Sequence, residues 1–443
     1  MRMPLFTVIA LGVAAVVYLA GKLFAIDYLF FAGYTVLHFV VLATAWNILG
    51  GYCGYVNFGS AGFFALGAYT TVFFHKAYPL PIPALIVLAG IVAGLVGLGT
   101  GYLTLRLRGV YFAIATLALA IVLQTLVINW NYVGGSRGAY VIRPQTAPII
   151  GSYIEYLFLL MLLLTVLAVV VARAIERSQL GFGFATIRDD EIAAEALGVP
   201  TLRLKLIATT ISGGLMGMAG APFPYYIGYL EPSSAFGLAY AVNAIAMPMI
   251  GGTTSWIGPL VGAILLGTLQ QVASVTISSA VNLLIVGILL VAFVIIAPNG
   301  LVGLVQEFLR AATPERMTWR SLGVLSVAGY GIVAGMFGVV FSLSAIAAAR
   351  PALGVLALVV SVLLIASAYG LLKLQSWGLL LANASFALSI VLGVIELWFV
   401  GGVGAGIMHG GAVAIAVAAI VLLQDAGVKS LYRVPPGERR ATS

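Results

Sequence analysis

Apolar runs of about 18–24 residues recur from one end of this chain to the other, each long enough to cross a hydrocarbon core of roughly 30 Å as a helix. Short alternating segments, the mark of a transmembrane β-barrel, are absent from the sequence. Candidate spans lie near 5–24, 28–49, 57–74, 83–104, 109–130, 151–172, 205–222, 235–250, 257–277 and 280–297, and four more near 321–343, 353–372, 377–399 and 408–424. The pattern predicts an all-α, polytopic helical membrane protein, about ten spans in a first unit and about four in a second. A mean hydropathy of +1.15, with 62% of residues hydrophobic and 8% charged, excludes an ordinary soluble domain. The first run, 5–24, is long and is followed by no small-x-small cleavage site, so it reads as a retained span rather than a signal peptide. The segments at 57–74 and 235–250 are short and rich in Gly or Ala, which suits a broken or re-entrant helix.

The net charge of +8 would suit nucleic acid only if taken alone. The basic residues sit in short loops and at both termini, where they set membrane orientation, so nucleic acid is excluded as a partner and the lipid bilayer is expected. With the N-terminus cytoplasmic, Arg106, Arg108, Arg173, Arg177, Arg188, Arg203, Lys205, Arg310, Arg316, Arg320, Lys429, Arg433, Arg439 and Arg440 fall inside. Lys22, Lys76, Arg137, Arg143 and Arg350 fall outside. This bias predicts both termini in the cytoplasm and an extended inner loop over 173–205. Cys53 is the single cysteine, which rules out an intramolecular disulfide and a Cys-rich metal site.

Composition shifts once, at "APNGLVGLVQEFLRAATPERMTWR" (297–320). This divides the chain into 1–305, an amphipathic linker over 306–320, a four-span module over 321–424 and a basic tail over 425–443. A weak internal echo pairs "GGYCGYVNFGSAGFFALGAY" (50–69) with "GGTTSWIGPLVGAILLGTL" (251–269), each a Gly-Gly turn followed by a helix with small residues spaced for close approach.

Against this apolar background "IRDDEIAAEALGV" (187–199) concentrates one Arg and four acids in thirteen residues. The sequence predicts a short amphipathic helix here. Thr186 stands three residues before Asp189 in a capping-box-like start, and Asp189, Asp190 and Glu191 crowd the positive end of the helix dipole. Gly198 supplies a left-handed cap and Pro200 prevents resumption. Ile192, Ala193, Ala196 and Leu197 form an apolar stripe, with Glu191 and Glu195 on the polar side. Helices lying on membranes prefer Lys and Arg on that side, so an acidic one points to a cytoplasmic protein partner; capping the bundle at the membrane surface is the alternative.

"SQLGFGFATIRDDEIAAEALGVPTLRLKLIATTISGGLMGMAGA" (178–221) resembles the signature loop and following helix of the permease subunits of branched-chain amino acid ABC importers, of the M type. "NILGGYCGYVNFGSAGFFALGAYT", "LRGVYFAIATLALA", "VGGSRGAYVI", "YLEPSSAFGLAYAVNAIAMPMIGGTTSWIGPLVGAILLG" and "APNGLVGL" resemble further blocks, in the family's order, over about 28–305. The resemblance implies an inner-membrane permease of a prokaryote that works with a second permease chain, two ABC ATPase subunits and a soluble extracytoplasmic binding protein. It implies that Arg188, Asp189, Asp190, Glu191, Ala194, Glu195 and Gly198 couple ATPase closure to translocation. ATP and Mg belong to the partner ATPase, and no cofactor, metal or catalytic residue is expected in this chain. Consistently, none of its five lysines stands in a G-x-x-x-x-G-K-[ST] setting.

Asn57, Gly59 and Ser60 in the early Gly-rich segment, with Asn243, Gly251 and Gly252 in the later one, are candidates to line the translocation path; bundle packing is the alternative. Arg137, in "GGSRG", either meets the binding protein or sits in a solvated loop. Glu396 is a proton-relay candidate near the end of its span, and His38 reads as a hydrogen-bonded packing residue. The sequence leaves open a branched-chain amino acid importer, the same architecture importing urea or short amides, a secondary transporter driven by an ion gradient, and a non-transport membrane scaffold. Residues 306–443 depart from the family, and their role is open.

Overall fold

The structure is a computed structural model that describes residues 3–24, 27–78, 80–142, 151–276, 287–288, 299–311, 319–347, 351–399 and 403–432. The expected tenth span (280–297, apart from 287–288), linker residues 312–318, Arg143, Arg316, Arg350 and the tail from 433 lie outside the described residues. The chain forms two compact units, Met1–Thr268 with Phe293–Gly300, and Leu269–Ala292 with Leu301–Ser443.

A hydrocarbon interior offers backbone groups no water, so the long apolar runs satisfy their N–H and C=O groups within themselves as helices. In the first unit these are α1 (Met3–Phe24), α2 (Asp27–Gly50), α3 (Ser60–Ala77), α4 (Ile82–Thr104), α5 (Val110–Ile128) and α6 (Tyr153–Glu176). Two short helices follow, α7 (Gln179–Asp189) and α8 (Glu191–Ala196). Then come α9 (Thr201–Gly220), α10 (Phe223–Ile227), α11 (Pro232–Ala235), α12 (Leu238–Gly251) and α13 (Ile257–Thr276), the last running on into the second unit. Two residues of β1 (Ala139–Tyr140) pair antiparallel with β2 (Tyr229–Leu230) at one end of the bundle.

Among the described residues eleven helices are long and apolar enough to cross a membrane, against the fourteen expected. Helix α3 carries Thr70, Thr71, His75 and Lys76 and is less apolar than its neighbours, though most of it is buried. The expected tenth span lies outside the described residues, and the last is the helix Val403–Gln424, with Gly410–Gln424 its apolar stretch among the described residues. Helix α3 is unbroken; the irregular backbone precedes it, over residues 51–59. Within the 235–250 segment α12 likewise runs unbroken from Leu238, and the irregular residues 236–237 precede it.

Polar contacts fix how the helices run. Arg173 near the end of α6 lies 3.7 Å over the ring of Phe6 near the start of α1. At the other end of the same pair Lys22 stands 3.4 Å from Glu155, and Tyr18 donates to Glu155 at 3.1 Å. The two helices are therefore antiparallel. Ser152 and Glu155 exchange side-chain-to-backbone hydrogen bonds in a capping box that starts α6. His38 is buried among rings of Phe39, Phe64, Phe223 and Tyr240 rather than hydrogen-bonded through Nε2, which has no partner among the described residues.

Packing is very close along α9. A Cβ built on Gly217 would fall 2.3 Å from Ala93 Cβ on α4, and one on Gly67 of α3 would fall 2.0 Å from the Gly217 carbonyl oxygen. The backbones touch with no side-chain layer between them, as small residues permit in membranes. The same device joins α12 to α13, where a Cβ on Gly251 would lie 1.8 Å from the Gly258 oxygen.

The second unit is also helical: α14 (Gly300–Ala311), α15 (Trp319–Ala347), α16 (Pro351–Leu372), α17 (Ser376–Phe399), α18 (Val403–Gln424) and α19 (Ala426–Leu431). Helices α15 and α16 approach closely where a Cβ on Gly335 would lie 2.8 Å from the Ser361 oxygen. Its ion pairs gather at one end: Lys373 with Glu307, and Arg320 with Asp425 at 3.1 Å. Glu396 is half-buried near the end of α17.

Gly217→Val is expected to destabilise the first unit by about 3 kcal/mol or more, because backbone contact leaves the added carbons nowhere to go. Gly99→Val is the control, since a Cβ there meets nothing within 4 Å. Detergent-solubilised melting should separate the two variants clearly.

Candidate functional site

The charged stretch is not the single helix its sequence suggested. Thr186 donates to the Gly183 carbonyl within α7 and caps nothing. The break falls at Asp190, whose backbone is extended and whose Oδ1 accepts from the amides of Ile192 and Ala193 at 2.9 and 3.0 Å. Asp is among the strongest N-caps, and here it outcompetes the capping-box pattern four residues upstream. Helix α8 ends as expected. Gly198 takes φ +83°, its N–H donates to Glu195, and the N–H of Val199 donates to Ala194, which closes a Schellman motif.

The faces of α8 are also the reverse of the amphipathic expectation. The Glu191 carboxylate points inward, and Glu195, 47% exposed, is paired at the rim. Glu191 accepts from Lys205 Nζ at 2.7 Å and from the Tyr55 hydroxyl, and lies 3.6 Å from Arg108 Nε. Glu195 accepts from Thr201 Oγ1 at 2.7 Å and pairs with Arg108 Nη2 at 3.3 Å. Ala194 is buried, whereas Ile192 and Leu197 are 67% and 85% exposed. Phe182 on α7 is exposed as well. Asp189 is exposed and pairs with its neighbour Arg188 at 3.3 Å.

The physical reason lies in α9. Lys205 stands in its second turn, at the start of an apolar span, with a side chain only 4% exposed. An ammonium withdrawn from water must find acceptors for its three protons. It donates to Glu191, to the Tyr55 hydroxyl at 3.1 Å and to the Leu105 carbonyl at 3.0 Å. The charge on Lys205 thus holds Glu191, and with it α8, against the bundle. Burial by itself raises the Glu191 carboxyl, but the hydrogen bonds from Lys205 and Tyr55 and the charges of Lys205 and Arg108 outweigh it. The group is held below its ordinary value. Burial, then the Glu191 hydrogen bond, push the Tyr55 hydroxyl up, so it stays protonated and able to donate.

Beside this cluster opens a cleft of about 550 Å³ between the 51–59 connection, the start of α5 and α7, lined by Cys53, Tyr55, Phe58, Arg108, Ile187 and Arg188 among others. Burial pushes the Cys53 thiol up to about 12, which leaves it an uncharged packing group.

The path candidates separate. Asn57 is buried; its side chain accepts from the Gly59 amide at 2.7 Å and its carbonyl accepts from Trp46 Nε1 at 2.9 Å, so it shapes the turn. Gly59 lies against the Thr116 carbonyl, and Ser60 is buried with no partner for Oγ among the described residues. Asn47 reaches from α2 to the Thr253 carbonyl at 3.0 Å, which brings Gly251 and Gly252 to the same end of the bundle as α8. Asn243 does not join them: it is half-buried eight residues up α12, a rise of about 12 Å. Arg137 is exposed at the opposite end, in a turn whose carbonyl accepts from Tyr229 at 2.6 Å. Sequence reasoning missed Tyr55, and it counted Lys205 and Arg108 only as orienting charges. The signal for Lys205 was its place inside the apolar run "LKLIATT".

Among the described residues no cluster of three or more His, Cys, Asp or Glu side chains is able to hold a metal ion. The family described as branched-chain amino acid transport system, permease component, matches residues 28–294. The chain belongs to this family and is a non-catalytic permease of the ABC importer class. It is 30% identical over 297 residues to the high-affinity branched-chain amino acid transport system permease protein LivM of Salmonella typhimurium and of Escherichia coli, covering 61% of this chain and 69% of each relative. It is 26% identical over 188 residues to the autoinducer 2 import system permease protein LsrC of Yersinia enterocolitica, covering 40% of this chain and 51% of that one. No solved structure matches it.

Glu191→Gln is expected to cost about 3 kcal/mol near neutral pH, because it leaves the Lys205 charge buried without its counter-ion. Asp189→Asn should stay within about 0.5 kcal/mol. A carboxyl depressed in the folded state contributes stability that is full above its unfolded pKa and is lost as pH falls through the folded value. The wild-type melting temperature should therefore drop below about pH 4, and that part of the drop should be missing in Glu191→Gln.

Proposed function

We propose that the chain is the transmembrane permease subunit of an ATP-driven importer of branched-chain amino acids, and that α7 and α8 form its docking site for a partner ATPase. The observation that supports docking is the orientation of α8. Glu191 is consumed inside the protein and Glu195 is paired at the rim, so what α8 offers outward is chiefly Ile192 and Leu197, with Phe182 and Asp189 nearby. Exposed apolar side chains rimmed by charge on a loop between spans suit a protein partner better than water or anionic lipid.

Family membership supports the rest of the assembly: two ABC ATPases on the cytoplasmic face, a second permease chain, and a soluble binding protein on the extracytoplasmic face. In this reading Arg137, beside the β1–β2 ribbon, faces the binding protein. Arg188, Asp189 and Gly198 serve coupling at the surface, and Asp190, Glu191, Ala194 and Glu195 serve it by shaping and seating α8. The Gly-rich turns around Asn57, Gly59, Ser60, Gly251 and Gly252 stand at the cytoplasmic mouth, and Asn243 lies deeper along the path. Both described termini lie on the cytoplasmic side of a prokaryotic inner membrane. The substrate assignment leans on the LivM relatives; the LsrC relatives make autoinducer 2 the second candidate.

Ile192→Asp and Leu197→Asp should abolish recovery of the ATPase with the tagged chain in mild detergent, and should abolish uptake of radiolabelled leucine by cells. Membrane insertion and melting should remain as in wild type. Recovery of the chain with no Walker-motif partner, from membranes in which other importers stay assembled, would exclude the importer reading.

A further inference from the structure

Four stretches of chain meet at one buried ammonium. Lys205 of α9 donates to Glu191 of α8, to Tyr55 in the 51–59 connection and to the Leu105 carbonyl that follows α4. Tyr55 closes the circuit with its own hydrogen bond to Glu191. The side chains of Lys205 and Glu191 are 4% and 11% exposed, so solvent hardly competes with this linkage.

Tyr55 is also fixed on its far side. Its ring packs edge-on against Phe112 of α5, with centroids 5.1 Å apart. The connection it belongs to is pinned by Trp46 to the Asn57 carbonyl and by the Phe58 amide to Thr116 Oγ1 at 3.2 Å. A displacement of α8 therefore has two outcomes. Either Glu191 leaves Lys205 and strands a buried charge, which is costly, or Tyr55 and the start of α9 move with α8.

The outer brace, Arg108 with Glu195, is of a different kind. Both side chains are about half exposed, at 49% and 47%, and such pairs hold weakly. The inner linkage is the one able to carry force.

We propose that Glu191, Lys205 and Tyr55 are positioning residues that transmit movement of α8 to the 51–59 connection and to α9, and that Glu191 acts inward rather than on the partner. This rests on the importer reading, and adds to it the route by which the docking loop acts on the transmembrane helices. It assigns Glu191 the opposite direction from a docking contact: its loss should uncouple the partner without detaching it.

Cys53 provides the readout. It is the chain's one cysteine, it lies two residues from Tyr55, and it is buried. With 1% of its surface exposed beside the cleft, its maleimide labelling rate reports movement of the 51–59 connection. The experiment uses the complex purified from native membranes through the tagged chain, and follows Cys53 labelling with and without ATP, ATP hydrolysis, and the amount of ATPase recovered. In wild type, ATP should change the Cys53 labelling rate by about tenfold, within the ordinary range of coupling between sites. The double variant Glu191→Gln/Lys205→Met leaves no unpaired charge. The ATPase recovered with it should still hydrolyse ATP, with a Cys53 labelling rate that ATP no longer changes. Tyr55→Phe removes one hydroxyl and should reduce the response several-fold; it decides the matter if the double variant fails to insert. A nucleotide response that survives in the variants would overturn the proposal, as would its absence in wild type. ATPase loss in the inserted double variant would make Glu191 a docking residue and overturn it as well. A wild-type chain that brings down no ATPase would sink the importer reading, and this inference with it.

Discussion

The lipid interior offers backbone amides and carbonyls no partner, and much of this architecture is the working-out of that rule. Backbone amides are satisfied within helices. Where helices cross most closely, along α9 and between α12 and α13, the residues in contact are glycine and alanine, so the attraction is backbone against backbone. Among the described residues, the irregular backbone of 51–59 and of the turn after Gly251 lies at an end of the bundle. The exception is the Lys205 ammonium, set just inside a span, and its three acceptors determine how the adjacent loop folds.

The broad architecture was legible in the sequence because span length and loop charge are set by bilayer thickness and surface potential, and both act on single residues in series. The C-terminal cap of α8 was legible for a similar reason: Gly198 needs only its own left-handed φ. Its start was not. Thr186 and Asp190 are both competent caps, and the choice between them depends on where Glu191 must go to meet Lys205, fourteen residues further along. The apolar stripe misled for the same reason. Helical periodicity says which residues share a face but not which face turns inward, and here an ion pair settles the rotation of α8 against the hydrophobic expectation.

The path candidates show a related limit. Asn57 stood out as an amide beside glycines, and its hydrogen bonds turn out to be local, to Gly59 and Trp46. Local bonds of this kind leave the same trace in a sequence as a ligand site does. Tyr55, two residues earlier, left no trace, since an aromatic in a Gly-rich segment is unremarkable until its hydroxyl is seen between Lys205 and Glu191.

The glycine crossing of α9 with α3 and α4 has a mechanical meaning. Helices separated by side chains can slide a little, because rotamers shift and take up the strain. Helices in backbone contact have no such compliant layer. Near Gly67, Ala93 and Gly217 the three helices lack that layer, so any displacement of one is met directly by the backbones of the other two.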